Sequence, residues 1–128
     1  MPKVKQITVT CENRPGTLAS LANILGKSKV NILAFNASSA GAMGYVQLIV
    51  DNVARAEKAL RGKGFACYEE TVIHLTLPNR PGALATYAGR LATKDINIGA
   101  GYQTTVEGSD KASIVLAVSR PAAAAKIR

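Results

Sequence analysis

The fold is decided by one short stretch, Asn13-Arg14-Pro15-Gly16, which returns 66 residues later (79 minus 13) as Asn79-Arg80-Pro81-Gly82. The same offset relates further identical pairs, namely Ala22 and Ala88, Leu25 and Leu91, Asn31 and Asn97, and Ile32 and Ile98. Agreement over one uninterrupted register indicates two copies of one supersecondary unit. We therefore expect a tandem repeat.

Each copy opens with a strand, the turn and a helix. Before the turn, apolar and polar residues alternate over Ile7–Cys11 and Ile73–Leu77, which is typical of a half-buried strand. After the turn, apolar residues follow the i, i+3, i+4, i+7 spacing of an amphipathic helix. The residues on this stripe are Leu18, Leu21, Ala22 and Leu25 in the first copy and Leu84, Tyr87, Ala88 and Leu91 in the second.

The rest of the first copy completes a known order of elements. Residues 30–39 and 45–50 predict a hairpin around a glycine-containing turn, residues 53–60 carry a second helical face, and residues 65–70 can supply a fourth strand. The order is βαββαβ, the ferredoxin-like arrangement with an antiparallel sheet. The sequence thus predicts an α+β protein built from two such units, residues 1–71 and residues 72–128.

The second copy is expected to end early. Strands are predicted over 97–106 and 112–118, and the alanine-rich segment 121–126 favours a short final helix. The end of the second helix and the fourth strand are then missing, so Ile73–Leu77 needs another partner or remains an open edge. Because only 13 residues separate Phe65 from Leu77 inclusively, the two strands there can form one continuous strand. We expect the two sheets to join or to pack face to face.

The repeated turn is the best candidate for a binding site. Pro15 and Pro81 suit the first helical turn, and a glycine directly after each lets a ligand approach the amide groups of the helix start, which favour a carboxylate. Asn13 and Asn79 precede the turns, and Asn31 and Asn97 are expected beside them, so that amides can engage both charged groups of a free amino acid. A purely structural role in turning and capping the chain is the alternative. Arg14 and Arg80 are weaker candidates, because an exposed arginine beside a turn is most often solvated.

These motifs resemble the ACT domain, a small ligand-binding module of amino-acid metabolism. The first copy is similar to the regulatory domain of D-3-phosphoglycerate dehydrogenase, including Met43-Gly44-Tyr45-Val46 in its third strand. The resemblance implies amino-acid binding at an interface between paired modules. Asn13, Gly16 and Asn31 would form one half-site and Asn79, Gly82 and Asn97 the other, beside Arg14, Pro15, Ile32, Arg80, Pro81 and Ile98. Cys11 and Leu77 stand where serine-binding members have a histidine.

Composition argues against an enzyme. The 128 residues contain 16 basic and 8 acidic side chains, two cysteines and one histidine, His74. Neither Cys11 nor Cys67 belongs to a metal-ligand spacing, and both are expected in the core, so we expect no metal and no cofactor. No apolar run of about 18 residues predicts a membrane span. The adjacent Glu69 and Glu70 are expected on opposite faces of a strand, so they do not suit a catalytic pair. We expect a non-catalytic cytoplasmic protein.

Three functions remain open from the sequence. The preferred one is a regulatory protein that binds a small amino acid, forms a homodimer and acts on a partner enzyme of amino-acid metabolism. A second is a pairing module that acts on an enzyme without a ligand. A third is nucleic-acid binding, which the net charge of +8 would favour; the scarcity of aromatic residues on the central strands argues against it.

Overall fold

The structure, a computed structural model that describes residues 3–127, has the predicted α+β architecture. Its strands are β1 (Lys3–Glu12), β2 (Ile32–Ala40), β3 (Met43–Val50), β4 (Ala66–Pro78), β5 (Ile98–Thr105) and β6 (Lys111–Val118). Its helices are α1 (Thr17–Lys27), α2 (Val53–Gly62), α3 (Ala83–Thr93) and α4 (Pro121–Ala124). The order confirms a complete βαββαβ unit followed by a second unit that ends early.

The chain forms two compact units. The first, Lys5–Glu70, contains most of β1, the elements α1 to α2 and the beginning of β4. The second comprises residues 71–127 together with Lys3 and Val4. The 13 residues of β4 form one strand that runs from the first unit into the second, which confirms the continuous strand expected there.

In the first unit, the strands follow the order β2-β3-β1-β4, and β3 is antiparallel to both β1 and β2. Val9 lies opposite Val46, so the apolar positions of neighbouring strands point to the same face of the sheet. Leu21 and Leu25 of α1 and Leu60 of α2 pack on this face and are fully buried. Leu21 and Leu25 of the predicted helical stripe therefore form the core face of α1, whereas Leu18 at its beginning is exposed.

The second unit repeats the pattern with fewer elements. Its strands follow the order β4-β6-β5, and β6 is antiparallel to both neighbours. Ile73 and Leu77 of β4 form a buried cluster with Tyr87 and Leu91 of α3. The helix α4 has only four residues, and the described residues after it form no further strand.

Gly101 of β5 provides a test of this packing. A Cβ atom there would lie 2.6 Å from Cδ2 of Leu116 and 3.4 Å from the carbonyl oxygen of Val115. Because Leu116 is buried in the core, its side chain has little room to move. We expect Gly101→Ala to lower the free energy of unfolding by about 1–3 kcal/mol, the usual cost of overpacking.

The matched control for Gly101→Ala is Gly99→Ala in the same strand. The nearest atom to a Cβ at Gly99 is the carbonyl oxygen of Ala117 at 3.9 Å, an ordinary contact. Urea denaturation should therefore show a large loss for Gly101→Ala and little change for Gly99→Ala. Equal effects of the two substitutions would contradict the packing described for β5 and β6.

Candidate ligand-binding site

The repeated stretch forms the same tight turn in both units. In Arg14–Thr17, the amide of the last residue donates to the carbonyl of the first at 3.4 Å, and Gly16 has φ 89° and ψ −12°. In Arg80–Ala83, the corresponding distance is 3.3 Å, and Gly82 has φ 86° and ψ −10°. These angles are those of the third residue of a type II turn, a position that requires glycine because φ is positive. The Pro-Gly pair is thus a turn signal in both units.

The two helices begin after this turn. Gly16 and Gly82 are the N-cap residues, and α1 and α3 start at Thr17 and Ala83. The expectation that the prolines lie in the first helical turn is wrong, because the left-handed glycine after each proline interrupts the helical backbone. Within the described part of the chain, no side chain caps either helix start. The amides of Thr17 and Ala83 close the turns, and the next amide groups of both helices, which no side chain caps, keep their affinity for an anion.

Asn13 and Asn79 attach each turn to the neighbouring hairpin. The Nδ2 atom of Asn13 donates to the carbonyl of Gly41 at 2.9 Å, and its backbone amide donates to Ala42. The Nδ2 atom of Asn79 likewise donates to the carbonyl of Ser109 at 2.9 Å. One side-chain hydrogen of each asparagine thus serves the fold, which leaves the second hydrogen and the amide oxygen for other partners.

Asn31 does not lie beside the turn of its own unit. Its backbone amide donates to Oδ1 of Asp51 at 2.9 Å, where β2 begins and β3 ends. Asn13 contacts the other end of this hairpin. A strand of about eight residues, with a rise of about 3.3 Å per residue, separates the two ends by about 26 Å. The expectation that Asn31 flanks the turn is wrong, because α1 returns the chain to the end of the sheet where β1 begins.

The second unit shows the same separation. The backbone amide of Asn97 donates to Oγ of Ser119 at 3.0 Å, at the beginning of β5 and after the end of β6. The residues that follow the two asparagines, Ile32 and Ile98, pack against the cores of their units. Neither unit by itself brings Asn31 or Asn97 together with a Pro-Gly turn.

The two turn arginines differ in their surroundings. The Nε atom of Arg14 lies 2.9 Å from Oε2 of Glu12 in an exposed ion pair. The position equivalent to Glu12 in the second copy is Pro78, which carries no charge. Among the described residues, no carboxylate pairs with Arg80. Arg80 is therefore the turn arginine that can accept a new anionic partner.

A cavity of about 570 Å³ lies beside the second turn. It is bordered by the end of β4, the turn, one side of α3 and the chain after α4. Its lining residues are Leu75, Thr76, Leu77, Pro78, Arg80, Pro81, Gly82, Ala83, Thr86, Tyr87, Arg90, Ala125 and Ile127. The volume is within the range of about 300–1,000 Å³ that is usual for small-molecule sites.

The cavity lining combines apolar walls with positive charge. Leu75, Tyr87 and Ile127 contribute apolar surface, Arg80 and Arg90 contribute guanidinium groups, and the described lining contains no carboxylate. Burial raises the pKa of the Tyr87 phenol, so its hydroxyl group stays protonated at neutral pH. Such a lining favours an anion that carries an apolar group.

The two cysteines and the histidine, the other side chains with reactive groups, pack or lie within hydrogen-bond distance of neighbours in the fold. Cys67 is buried and Cys11 packs against the first core, which confirms their expected place. Burial raises the pKa of both thiols, which disfavours the reactive thiolate. The Nε2 atom of His74 lies 2.9 Å from Oγ of Ser113.

The described residues contain no cluster of three or more possible metal ligands. None of their helices is long and apolar enough to cross a bilayer.

Comparison with known proteins identifies the family. The family model of the ACT domain pair matches residues 2–126. The chain belongs to the ACT domain pair family. This ACT domain pair is similar to protein BT0572 from Bacteroides thetaiotaomicron, with 29% identity, a TM-score of 0.86, and coverage of 92% of this chain and 81% of that chain. No curated protein matches it.

Two further solved structures share the fold of this ACT domain pair. The regulatory subunit of aspartate kinase from Thermus thermophilus, in its ligand-free form, has a TM-score of 0.74 at 15% identity and covers 98% of this chain and 94% of its own. The regulatory subunit of aspartate kinase from Thermus flavus has a TM-score of 0.67 at 16% identity, with 98% and 91% covered. At this identity, the likeness establishes the fold alone.

The two ACT copies differ in what packs beside their turn helices. In the first copy, Leu60 of α2, Phe65 and Cys67 pack into the core or against it, and Ile24 of α1 lies among them. The position equivalent to Ile24 is Arg90, and the described part of the second copy has no counterpart of Leu60, Phe65 or Cys67. The cavity occupies this side of α3. Its lining residues Tyr87, Ala125 and Ile127 were not predicted as site residues, because the sequence signals that were used lie in the turns.

Proposed function

We propose that this ACT domain pair is a cytoplasmic regulatory protein that binds a small amino acid beside its Asn-Arg-Pro-Gly turns. The observation that carries the proposal is the cavity beside the second turn, into which Gly82 and Ala83 bring the uncapped start of α3. The carboxylate of an amino acid suits a helix start, since amide groups and the helix dipole both favour an anion there. The proposed contacts at the second turn are Asn79 and Gly82, with Arg80 and Pro81 beside them. If the first turn also binds a ligand, the equivalent contacts there are Asn13 and Gly16, with Arg14 and Pro15 beside them.

The proposed contacts at the beginnings of β2 and β5 require a second chain. Asn31, Ile32, Asn97 and Ile98 lie at the far ends of their own sheets, so they can reach a ligand at a turn only if another copy of the protein supplies them. This requirement supports the proposal of a homodimer in which modules pair around the ligand.

The proposed partner is an enzyme of amino-acid metabolism. The aspartate kinase regulatory subunits that share this fold support such a role, and so does the resemblance of the first copy to the regulatory domain of D-3-phosphoglycerate dehydrogenase. If the partner enzyme is a separate chain, regulation requires that the ligand change the affinity of this protein for that partner.

A second candidate is a pairing module that binds no metabolite. The hydrogen bonds from Asn13 to Gly41 and from Asn79 to Ser109 favour it, because they give both asparagines a structural task. In that case, the repeated turn would serve only to hold the hairpin in place and to start the helix.

Calorimetry of the full chain against each of the twenty amino acids separates the two candidates. We expect at least one amino acid to bind with a Kd in the micromolar range, which a ligand of so few atoms reaches only when its charged groups are well engaged. Light scattering with and without that amino acid would report the dimer. If none of the twenty binds at millimolar concentration, the pairing module is the better description.

A further inference from the structure

The two turns are unequal, and we infer that the cavity of the second unit is the amino-acid site and selects ligands with an aliphatic or aromatic side chain. This inference rests on the proposed function and adds the class of ligand and the number of sites. The cavity places a carboxylate at the turn and an apolar group between β4, α3 and the chain after α4. Related carboxylic acids without an amino group should bind there too.

The apolar end of the ligand follows from the cavity walls. Leu75 and Leu77 come from β4, Tyr87 from α3, and Ala125 and Ile127 from the chain after α4. Leu75 and Ile127 are half-buried, so a ligand that covers them would remove apolar surface from water. A polar side chain such as that of serine would leave these walls without an apolar contact.

The carboxylate end follows from the charges at the turn. Arg80 has no carboxylate partner among the described residues, and the start of α3 at Gly82 and Ala83 lies in the same wall. A guanidinium group and backbone amides both bind carboxylates. The described lining carries no acidic side chain that could form an ion pair with an ammonium group. The carboxylate is therefore required for binding, whereas the amino group contributes less.

The first turn lacks these features. Arg14 is paired with Glu12 at 2.9 Å, and Ile24 and Phe65 pack against the core on the corresponding side of α1. A ligand there would have to break the ion pair, and the cavity beside α1, which Ile24 and Phe65 border, includes no residue of the first turn. We therefore expect one site per chain, and the first turn becomes an internal control for the second.

The ligand class can be tested by calorimetry on the full chain with four probes: leucine, serine, leucinamide and 4-methylpentanoate. We expect leucine to bind with a stoichiometry of one per chain and 4-methylpentanoate to bind within about tenfold of it. Leucinamide, which lacks the carboxylate, should bind at least about a hundredfold more weakly, because two charge-assisted interactions are lost. A stoichiometry of two per chain, or equal binding of leucine and leucinamide, would overturn the inference.

The same titrations separate this inference from the proposed function. If serine or another polar amino acid binds while leucine and 4-methylpentanoate do not, the inference is wrong and the proposed function stands. If 4-methylpentanoate binds and no amino acid does, the cavity is a carboxylate site and the proposed function is wrong. If nothing binds, both are wrong.

Two pairs of variants locate the site. Arg80→Ala should weaken leucine binding by about tenfold or more, the effect of losing one charged contact, whereas Arg55→Ala, at an exposed position of α2 outside the lining, should leave it unchanged. Ala125→Phe fills the cavity and should abolish binding, whereas Ala122→Phe, at an exposed position of α4 outside the lining, should not. Circular dichroism would confirm that each variant folds. If Ala125→Phe does not fold, Arg80→Ala still tests the site, because Arg80 is exposed. Equal effects within the arginine pair would overturn the assignment.

Discussion

Replacing Leu60 with alanine is expected to lower the free energy of unfolding by about 2–5 kcal/mol, the range measured for Leu→Ala in packed cores. Leu60 is fully buried between α2 and the sheet of the first unit. Its removal leaves a cavity in a place where the second unit has no equivalent side chain. A loss of this size is a large part of the stability of a small domain, which is about 5–15 kcal/mol.

The control for Leu60→Ala is the same change at Leu18, which lies on α1 and is 41% exposed. We expect Leu18→Ala to change the free energy of unfolding by no more than about 0.5 kcal/mol, as at most surface positions. Urea denaturation followed by circular dichroism measures both. A loss for Leu60→Ala as small as that for Leu18→Ala would mean that α2 does not close the first core.

Replacing Gly82 with alanine is expected to reduce both stability and ligand binding. Gly82 has φ 86°, and no atom lies within 4 Å of the position of an added Cβ, so the cost to folding is backbone strain of about 1–2 kcal/mol. Because Gly82 lines the cavity, the added methyl group also narrows the approach to the start of α3. We expect leucine binding to weaken by about tenfold or more, since the methyl group would keep the carboxylate from the amides at the start of α3.

Gly16→Ala is the matched control, since Gly16 has φ 89° and equally open surroundings. Its effect on stability should equal that of Gly82→Ala, because both turns have the same geometry. Its effect on binding should be absent. Thermal denaturation and calorimetry on both variants make the comparison, and equal losses of binding would show that the first turn is a site as well.

Most of the fold follows from the sequence because its signals are local. The alternation in Ile7–Cys11 and the helical stripe after Gly16 each lie within a few turns of chain, and the same local signals return after 66 residues. The strand β4 was predictable because few residues lie between Phe65 and Leu77, which favours one continuous strand. The short α4 was predictable because an alanine run follows Pro121 and favours a helix.

The candidate site was predicted only in part. The turns were recognised from their residue types, but the expected pairing of Asn13 with Asn31 failed because periodicity does not tell at which end of a sheet a strand begins. The prediction that Pro15 lies in the first helical turn failed for a related reason. A proline suits both the first helical turn and the second position of a type II turn, and the φ of 89° at Gly16 selects the turn.

The sequence by itself determined a duplicated βαββαβ chain whose two Pro-Gly turns each precede a helix, because hydrophobic period and turn chemistry act between residues close in the chain. Only the tertiary structure decided that the turns are unequal. Arg14 and Arg80 stand in the same Asn-Arg-Pro-Gly turn. The sequence already distinguishes Glu12 from Pro78, and the rest of their difference arises from α2 and from the space beside Tyr87. A cavity is made by residues that are distant in the chain, so local patterns do not record it.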